Sequence, residues 1–175
     1  MNATDPTEDR PCVSRRQFLL AGASVVVMST LPGLAQAVSL QVKNYERRRI
    51  AGLGQLKLDE PLEFKYPFDE MSSSNFIVKL GKQAGGGVGS QKDIVAFNHF
   101  CPHMGGPLQG TYKKLHKAMG PCPMHLTTFD LTRHGMVIAG HATESLPQIV
   151  LELKGNDVYA IGVMGLLYGH HDNLG

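Results

Sequence analysis

Two short segments of the sequence each bring one cysteine and one histidine together, and they constrain the chain more than any other feature. The first box is CPHMGGPL, residues 101–108, and the second is CPMHLTTFD, residues 122–130. Eighteen residues separate the histidine of the first box from the cysteine of the second. Each box lies in a Pro- and Gly-rich loop beside a predicted strand, and loops can turn backbone N–H groups toward an ion. Because thiolate and imidazole bind transition metals, the boxes predict one metal site. Its predicted ligands are Cys101, His103, Cys122 and His125.

Three interpretations of this ligand set are open on the residues alone. Two cysteines and two histidines can hold zinc tetrahedrally, but structural zinc sites usually pair like ligands, as Cys-x2–4-Cys followed by His-x3–5-His. Here each loop gives one of each kind, Cys-x-His and then Cys-x2-His. A two-iron cluster with two thiolates on one iron and two imidazoles on the other suits that arrangement, so the spacing favours it over zinc. The third interpretation, two unrelated Cys-His pairs, leaves the placement of these cysteines unexplained.

Most of the chain is a series of short β-branched and aromatic runs separated by turn residues. Such runs, about 8–12 residues apart, predict an all-β sandwich or barrel. The predicted strands are 47–53, 61–68, 75–80, 93–100, 126–131, 135–140, 149–154 and 157–163.

Two further segments invite a binding interpretation that the sequence does not favour. The glycine-rich segment 84–90 lacks the Lys-Ser/Thr ending of a phosphate loop, and no helix follows it. We therefore predict a flexible hairpin tip there. His170 and His171 could bind a metal, but we predict a solvated C-terminal tail.

The first 37 residues have the three-part layout of a signal peptide. Paired arginines at 15–16 lie in SRRQFLL, a largely apolar stretch follows at 18–31, and LAQA offers an A-x-A cleavage site. Adjacent arginines ahead of Phe and Leu resemble a twin-arginine signal, so we predict export to the periplasm and a mature domain of residues 38–175. A retained N-terminal anchor and a buried amphipathic helix are the alternatives; the apolar stretch is short for an anchor.

Composition narrows the functional classes. Lys plus Arg is 17 and Asp plus Glu is 15, and this net charge of +2 is too balanced for nucleic-acid binding through counterion release. The chain has no run of about 20 apolar residues, so no stable membrane span is predicted. A hydrophobic fraction of 42% with only 18% charged residues excludes general disorder.

Together the boxes resemble the Rieske [2Fe-2S] pattern, Cys-x-His-x-Gly with Cys-x2-His. The longer string CPMHLTTFDLTRHGMVIAGHATESLPQI and the twin-arginine signal resemble those of the small Rieske subunits of arsenite oxidases. The resemblance implies a Rieske fold with three antiparallel sheets and one cluster at the tip of a small subdomain, about residues 95–147. Cys101 and Cys122 would bind the buried iron, and the two histidines the outer one. A third loop, containing Pro147, would cover the cluster.

The resemblance also implies a role. A molybdenum-containing large subunit would form a heterodimer with this chain, oxidise arsenite, and pass electrons through the Rieske cluster to a periplasmic cytochrome c or copper protein. Alternatives from other classes are the Rieske protein of a quinol-oxidising respiratory complex, a ferredoxin-like component of a ring-hydroxylating oxygenase, and a zinc-binding structural module. The first needs a membrane anchor and a hinge, and the second works in the cytoplasm, which the export signal disfavours.

The sequence departs from the common Rieske pattern in ways that bear on function. Gly106 and Met124 stand where many Rieske proteins have two cysteines joined as a disulfide. Thr127 and Phe129 stand where respiratory Rieske proteins place Ser and Tyr hydroxyls near the cluster sulfurs. Hydrogen bonds to sulfur raise the reduction potential, and Phe129 has no hydroxyl to donate. We therefore predict a lower potential than in quinol-oxidising Rieske proteins, which suits an electron relay.

Overall fold

A computed structural model describes residues 45–173, and the predicted signal peptide lies outside this part of the chain. The described residues form short antiparallel strands and two 3-10 turns, at Leu53–Gln55 and Met71–Ser73. The strands are β1 Arg48–Gly52, β2 Leu62–Lys65, β3 Ser74–Lys79, β4 Ile94–Asn98, β5 Tyr112–Lys113, β6 Ala118–Met119, β7 Thr128–Asp130, β8 Met136–Ala139, β9 Gln148–Lys154 and β10 Asp157–Met164. None of the helical turns among these residues is long and apolar enough to cross a membrane.

A six-stranded sheet forms the base of the molecule, in the order β1-β10-β9-β4-β3-β2. Its central strands β3 and β4 are apolar on both faces, because successive side chains of a strand point to opposite sides. Phe76 and Phe97 enter the buried cluster that also holds both box cysteines. Ile77 and Ala96, their neighbours in sequence, enter a second core on the other face.

The predicted all-β fold is confirmed, but the number of sheets differs from the three that the resemblance implied. Among the described residues there are two, because β4 and β9 pair at Ala96↔Ile149 and Phe97↔Gln148. This short ladder joins the β1-β10-β9 and β4-β3-β2 halves into one sheet.

The second sheet has four strands, β5-β6-β7-β8, and it carries the loops of interest. The first box lies between β4 and β5, the second between β6 and β7, and a third loop joins β8 to β9. Sequence patterns missed the β5–β6 hairpin because each strand is two residues long and the segment is lysine-rich. The predicted start of the cluster subdomain, residue 95, lies within β4 of the base sheet.

The glycine-rich segment 84–90 connects β3 to β4, as a hairpin tip should, but it is packed rather than free. Ala84 is buried, and the Gly85 N–H donates to the carbonyl of Thr132 at 2.9 Å. Gln148 Nε2 also donates to the Gly85 carbonyl at 2.8 Å. The segment therefore ties the base sheet to the turn between β7 and β8.

Candidate metal centre

Both ligand loops fold around their cysteine by the same hydrogen bonds. The Cys101 N–H donates to Gly106 O at 2.9 Å, and Cys101 O accepts from the Gly105 N–H at 2.8 Å. In the second loop the Cys122 N–H donates to Thr127 O at 2.8 Å, and Cys122 O accepts from the Leu126 N–H at 2.9 Å. The N–H and the C=O of each cysteine are therefore both hydrogen-bonded, which holds the backbone that carries each sulfur.

A left-handed residue closes each of these loops at the same position. Gly105 has φ +68° and Leu126 has φ +61°. Glycine adopts this conformation without penalty, whereas a leucine there is strained and persists because the surrounding structure holds it. Leu126 is thus one of the few non-glycine residues among those described that adopt a left-handed conformation.

The two thiols form the inner half of the site. Cys101 and Cys122 are each 1% exposed, are not joined as a disulfide, and lie in the core cluster with Leu108 and Phe129. Burial raises the pKa of the Cys101 thiol, and the neighbouring Cys122 thiol raises it further. Such thiols become thiolates when a metal ion supplies the compensating positive charge.

The two imidazoles form the outer half. The rings of His103 and His125 lie edge to face, with centroids 4.7 Å apart and an interplanar angle of 78°. Both rings are partly exposed, yet the Nδ1 atom of each is buried and has no hydrogen-bond partner. A buried nitrogen without a partner is costly, and binding a metal ion removes that cost. Two inner thiols and two outer nitrogens thus fit the two-iron cluster.

Thr127 and Phe129, the two residues predicted to lie near the cluster sulfurs, are both buried, and only Thr127 carries a hydroxyl. The Thr127 side chain lowers the pKa of the Cys101 thiol, against the larger effect of burial. Phe129 is fully buried in the same core and has only its apolar ring to present.

Gly106 and Met124 face each other across the two loops. A Cβ on Gly106 would lie 2.5 Å from Cys122 Sγ and 3.2 Å from Met124 Sδ. Glycine is therefore required for the close approach of the first loop to the second cysteine. The loops meet here by packing alone, without the disulfide found at these positions in many Rieske proteins.

The third loop reaches the site mainly through its first residues. The His141 ring is stacked on that of His103, with centroids 6.0 Å apart and 23° between planes. Leu146 is buried in the core cluster that holds both thiols, and the Pro147 carbonyl accepts from the Asn98 N–H at 2.9 Å. Pro147 as a cover of the cluster stays a prediction. His141 was not predicted as a site residue, although it stands within the GHATESLPQI string.

Known proteins with similar sequences or folds share a Rieske domain. The family model for the Rieske [2Fe-2S] domain matches residues 70–150. The soluble domain of Rieske protein II (soxF) from Sulfolobus acidocaldarius superposes with a TM-score of 0.62, covering 73% of this chain and 83% of that chain at 23% identity. At that identity the likeness shows the fold alone.

Two curated relatives match far more closely in sequence. Iodate reductase subunit IdrB of Denitromonas iodatirespirans is 61% identical over 166 residues, 94% of this chain and 89% of the relative. Iodate reductase subunit IdrB of Pseudomonas sp. (strain SCT) is 61% identical over 164 residues, 92% of this chain and 84% of the relative.

Proposed function

Because the chain belongs to the Rieske [2Fe-2S] domain family, with the IdrB subunits that it matches over most of their length, we propose that it is the electron-transfer subunit of a periplasmic oxidoreductase. The cofactor of this family is a [2Fe-2S] cluster, which takes up and releases one electron at a time. We assign its ligands as Cys101 and Cys122 on the inner iron and His103 and His125 on the outer iron.

One side of the site is buried in the core of the protein, and the other side is partly exposed to solvent. The thiols lie under the core, with Leu108 and Phe129 against them, so water is excluded from the inner side. The two imidazole rings are partly exposed at the outer side. Electrons therefore enter and leave by the imidazole side, and a redox partner must approach there.

We propose iodate as the substrate of the complex because two iodate reductase subunits are so similar in sequence to this chain. This chain and the Denitromonas subunit are 61% identical over 89% of that subunit's length. A reductase passes electrons toward its substrate. We infer that this chain receives electrons from a periplasmic cytochrome c or copper protein and delivers them to a molybdenum-containing large subunit, where iodate is reduced.

The small subunit of arsenite oxidase is the second candidate, favoured by the GHATESLPQI string that forms the third loop beside His103. There the electrons run the other way, from arsenite on the large subunit through this chain to the acceptor. The quinol-oxidising alternative is disfavoured because Phe129 has no hydroxyl beside the thiols.

One experiment separates these roles. The untagged chain is purified from its native periplasm with whatever large subunit accompanies it, and metals are counted. Iodate is added to the reduced complex and arsenite to the oxidised complex while EPR follows the cluster. Rapid oxidation by iodate supports the iodate reductase, and rapid reduction by arsenite supports the arsenite oxidase. A chain that purifies alone, or a cluster that neither compound changes, contradicts the proposal. The control is the complex from cells grown on tungstate, in which tungsten replaces molybdenum. It shows whether iodate or arsenite reacts with the cluster directly, without the molybdenum centre.

Localisation in the periplasm is part of the proposal. Its support is the SRRQFLL motif and the A-x-A site before residue 38, which lie outside the described residues.

A further inference from the structure

The chain after β10 folds back on itself into a compact segment, the C-terminal strap, residues 165–173. Leu167 at its centre is fully buried. The Leu167 N–H donates to Asn173 Oδ1 at 3.0 Å, and Asn173 Nδ2 donates to the Gly165 carbonyl at 2.6 Å. The Asn173 side chain thus closes the strap into a loop of fixed shape.

The strap is anchored to the base of the molecule, so the prediction of a solvated tail was wrong for His170. The imidazole Nε2 of His170 lies 2.8 Å from Glu70 Oε1, and the side chain is only 17% exposed. The same ring is stacked on Phe68 with centroids 5.6 Å apart. At the far end, the Tyr45 hydroxyl donates to the Asn173 carbonyl. Apolar and polar contacts therefore hold the strap at several points.

From these anchors the strap reaches the first ligand loop. A Cβ built on Gly105 would lie 2.3 Å from Cε1 and 2.6 Å from Cδ1 of Tyr168. The Tyr168 ring therefore lies directly against the Gly105 backbone. Gly105 is the residue whose N–H closes the turn on the Cys101 carbonyl. Tyr168 thus contacts the turn that carries both ligands of the first loop.

The strap also meets the third loop on the same side of the molecule. A Cβ on Gly165 would lie 3.5 Å from the Cα of Pro147. A cavity of about 460 Å³ separates the strap from Pro102 of the first loop and from Glu144 and Ser145 of the third. One segment therefore spans two of the three loops around the site.

We propose that the C-terminal strap braces the cluster loops and that Tyr168 is a positioning residue for the loop of Cys101 and His103. The need for such a brace follows from Gly106 and Met124, where the loops meet without a disulfide. The proposal rests on the presence of the Rieske cluster and is independent of the substrate of the large subunit.

Loss of the Tyr168 ring frees the Gly105 turn to move, which exposes the cluster to water and chelators. Because Tyr168 is 42% exposed, its ring contributes little to the main core, and global stability changes little. We expect cluster loss to become about tenfold faster, the factor that corresponds to a loss of about 1.4 kcal/mol of packing.

The test compares Tyr168→Ala with Tyr168→Phe and Leu166→Ala in the intact holoprotein. Leu166 is the matched control, since it belongs to the strap and is 48% exposed. Three quantities are measured: bleaching of the visible absorbance in excess chelator, the g values of the reduced cluster, and the thermal midpoint. The proposal expects faster bleaching and altered g values in Tyr168→Ala alone. Bleaching and g values equal to those of wild type or of Leu166→Ala would overturn it.

A double-mutant cycle tests the contact itself. Gly105→Ala places a methyl group into the Tyr168 ring and also strains the backbone at φ +68°. In the Tyr168→Ala background only the backbone strain remains, so Gly105→Ala should accelerate bleaching by a smaller factor there. Equal factors in both backgrounds would refute the brace. Tyr168→Leu keeps apolar bulk for folding but removes the ring, so it decides the same question if the alanine variant does not fold.

Discussion

The buried Thr127 side chain lies close enough to the Cys101 thiol to oppose the rise in that thiol's pKa caused by burial. Thr127 Oγ1 also accepts the backbone N–H groups of His141 at 3.1 Å and Ala142 at 3.3 Å. With these two donors at its lone pairs, the hydroxyl can still donate its own proton. The third loop thereby fixes the position of the Thr127 hydroxyl near the Cys101 thiol.

Thr127→Val is expected to lower the reduction potential of the cluster. A hydrogen bond to a charged group contributes about 1.5–3 kcal/mol, which corresponds to roughly 60–130 mV for one electron, and less if the sulfur charge is shared with iron. Thr127→Ser keeps the hydroxyl and is the control. Protein-film voltammetry measures both; a potential unchanged in Thr127→Val would show that the hydroxyl does not reach a ligand sulfur.

Phe129→Tyr is expected to raise the potential, provided that the new hydroxyl reaches a ligand sulfur. Phe129 is fully buried in the cluster of side chains around both thiols. The gain should be at most on the order of 60–130 mV, by the same conversion. The measurement is again film voltammetry, and a fall in potential would mean that Phe129 does not occupy the position of the tyrosine in respiratory Rieske proteins.

Part of this site could be predicted from the sequence, because its predicted ligands lie close together within two short motifs. Ligand type and spacing within each box predict that Cys101, His103, Cys122 and His125 form one metal site, and the structure brings the two thiols into one buried core and the two imidazoles together. Thr127 and Phe129 were predicted from the Rieske pattern that the boxes resemble. The brace by Tyr168 could not be predicted, because it depends on a contact between residues 63 positions apart. No periodicity or motif at the C-terminus indicates where the chain turns back.

The strands likewise include some that the local sequence predicts and some that it does not. An apolar run such as that of β4 predicts a buried strand, because apolar side chains are the ones that gain free energy when they leave water. Two-residue strands such as β5 and β6 have no periodicity to detect, and their pairing depends on neighbours in the sheet. The joining of the base strands into one sheet likewise rests on two residue pairs between β4 and β9.

Asp59→Asn is expected to destabilise the protein at neutral pH. The Asp59 carboxylate accepts hydrogen bonds from Lys117 at 2.6 Å and 2.7 Å and from the Tyr112 hydroxyl at 2.5 Å. Desolvation raises the pKa of Asp59, but these bonds outweigh it and hold that pKa below 3.8. The loss in free energy of unfolding should be about 1–3 kcal/mol. Asparagine tolerates the left-handed φ of +59° at this position, so backbone strain is not the cause.

The pH dependence of this loss identifies its origin. Because the folded pKa of Asp59 is depressed, its stabilising contribution is complete above the ordinary aspartate pKa and is lost as pH falls through the folded value. Denaturant unfolding near pH 7 and again at a pH below the folded pKa of Asp59 should show the variant and wild type converging. Asp157→Asn, which breaks a more exposed pair with Arg49, is the control with a small effect. A constant difference at both pH values would contradict the assignment.

Arg15→Lys with Arg16→Lys is expected to leave both this chain and its large partner in the cytoplasm. One twin-arginine signal can export a folded heterodimer if the subunit interface forms first, and such an obligate interface buries upwards of roughly 2,000 Å². The measurement is cell fractionation with antibodies to each subunit. A large subunit that still reaches the periplasm would show that the signal serves only this chain.

In the proposed site, two inner thiolates and two outer imidazoles hold a two-iron cluster. This ligand set is tested by EPR of the dithionite-reduced protein, with iron and sulfide counted on the same sample. Wild type should contain a [2Fe-2S] cluster and show a lower average g value than an all-cysteine cluster, and His103→Ala or His125→Ala should lose the signal. A colourless protein with stoichiometric zinc, or a cluster signal that survives both substitutions, would contradict the claim.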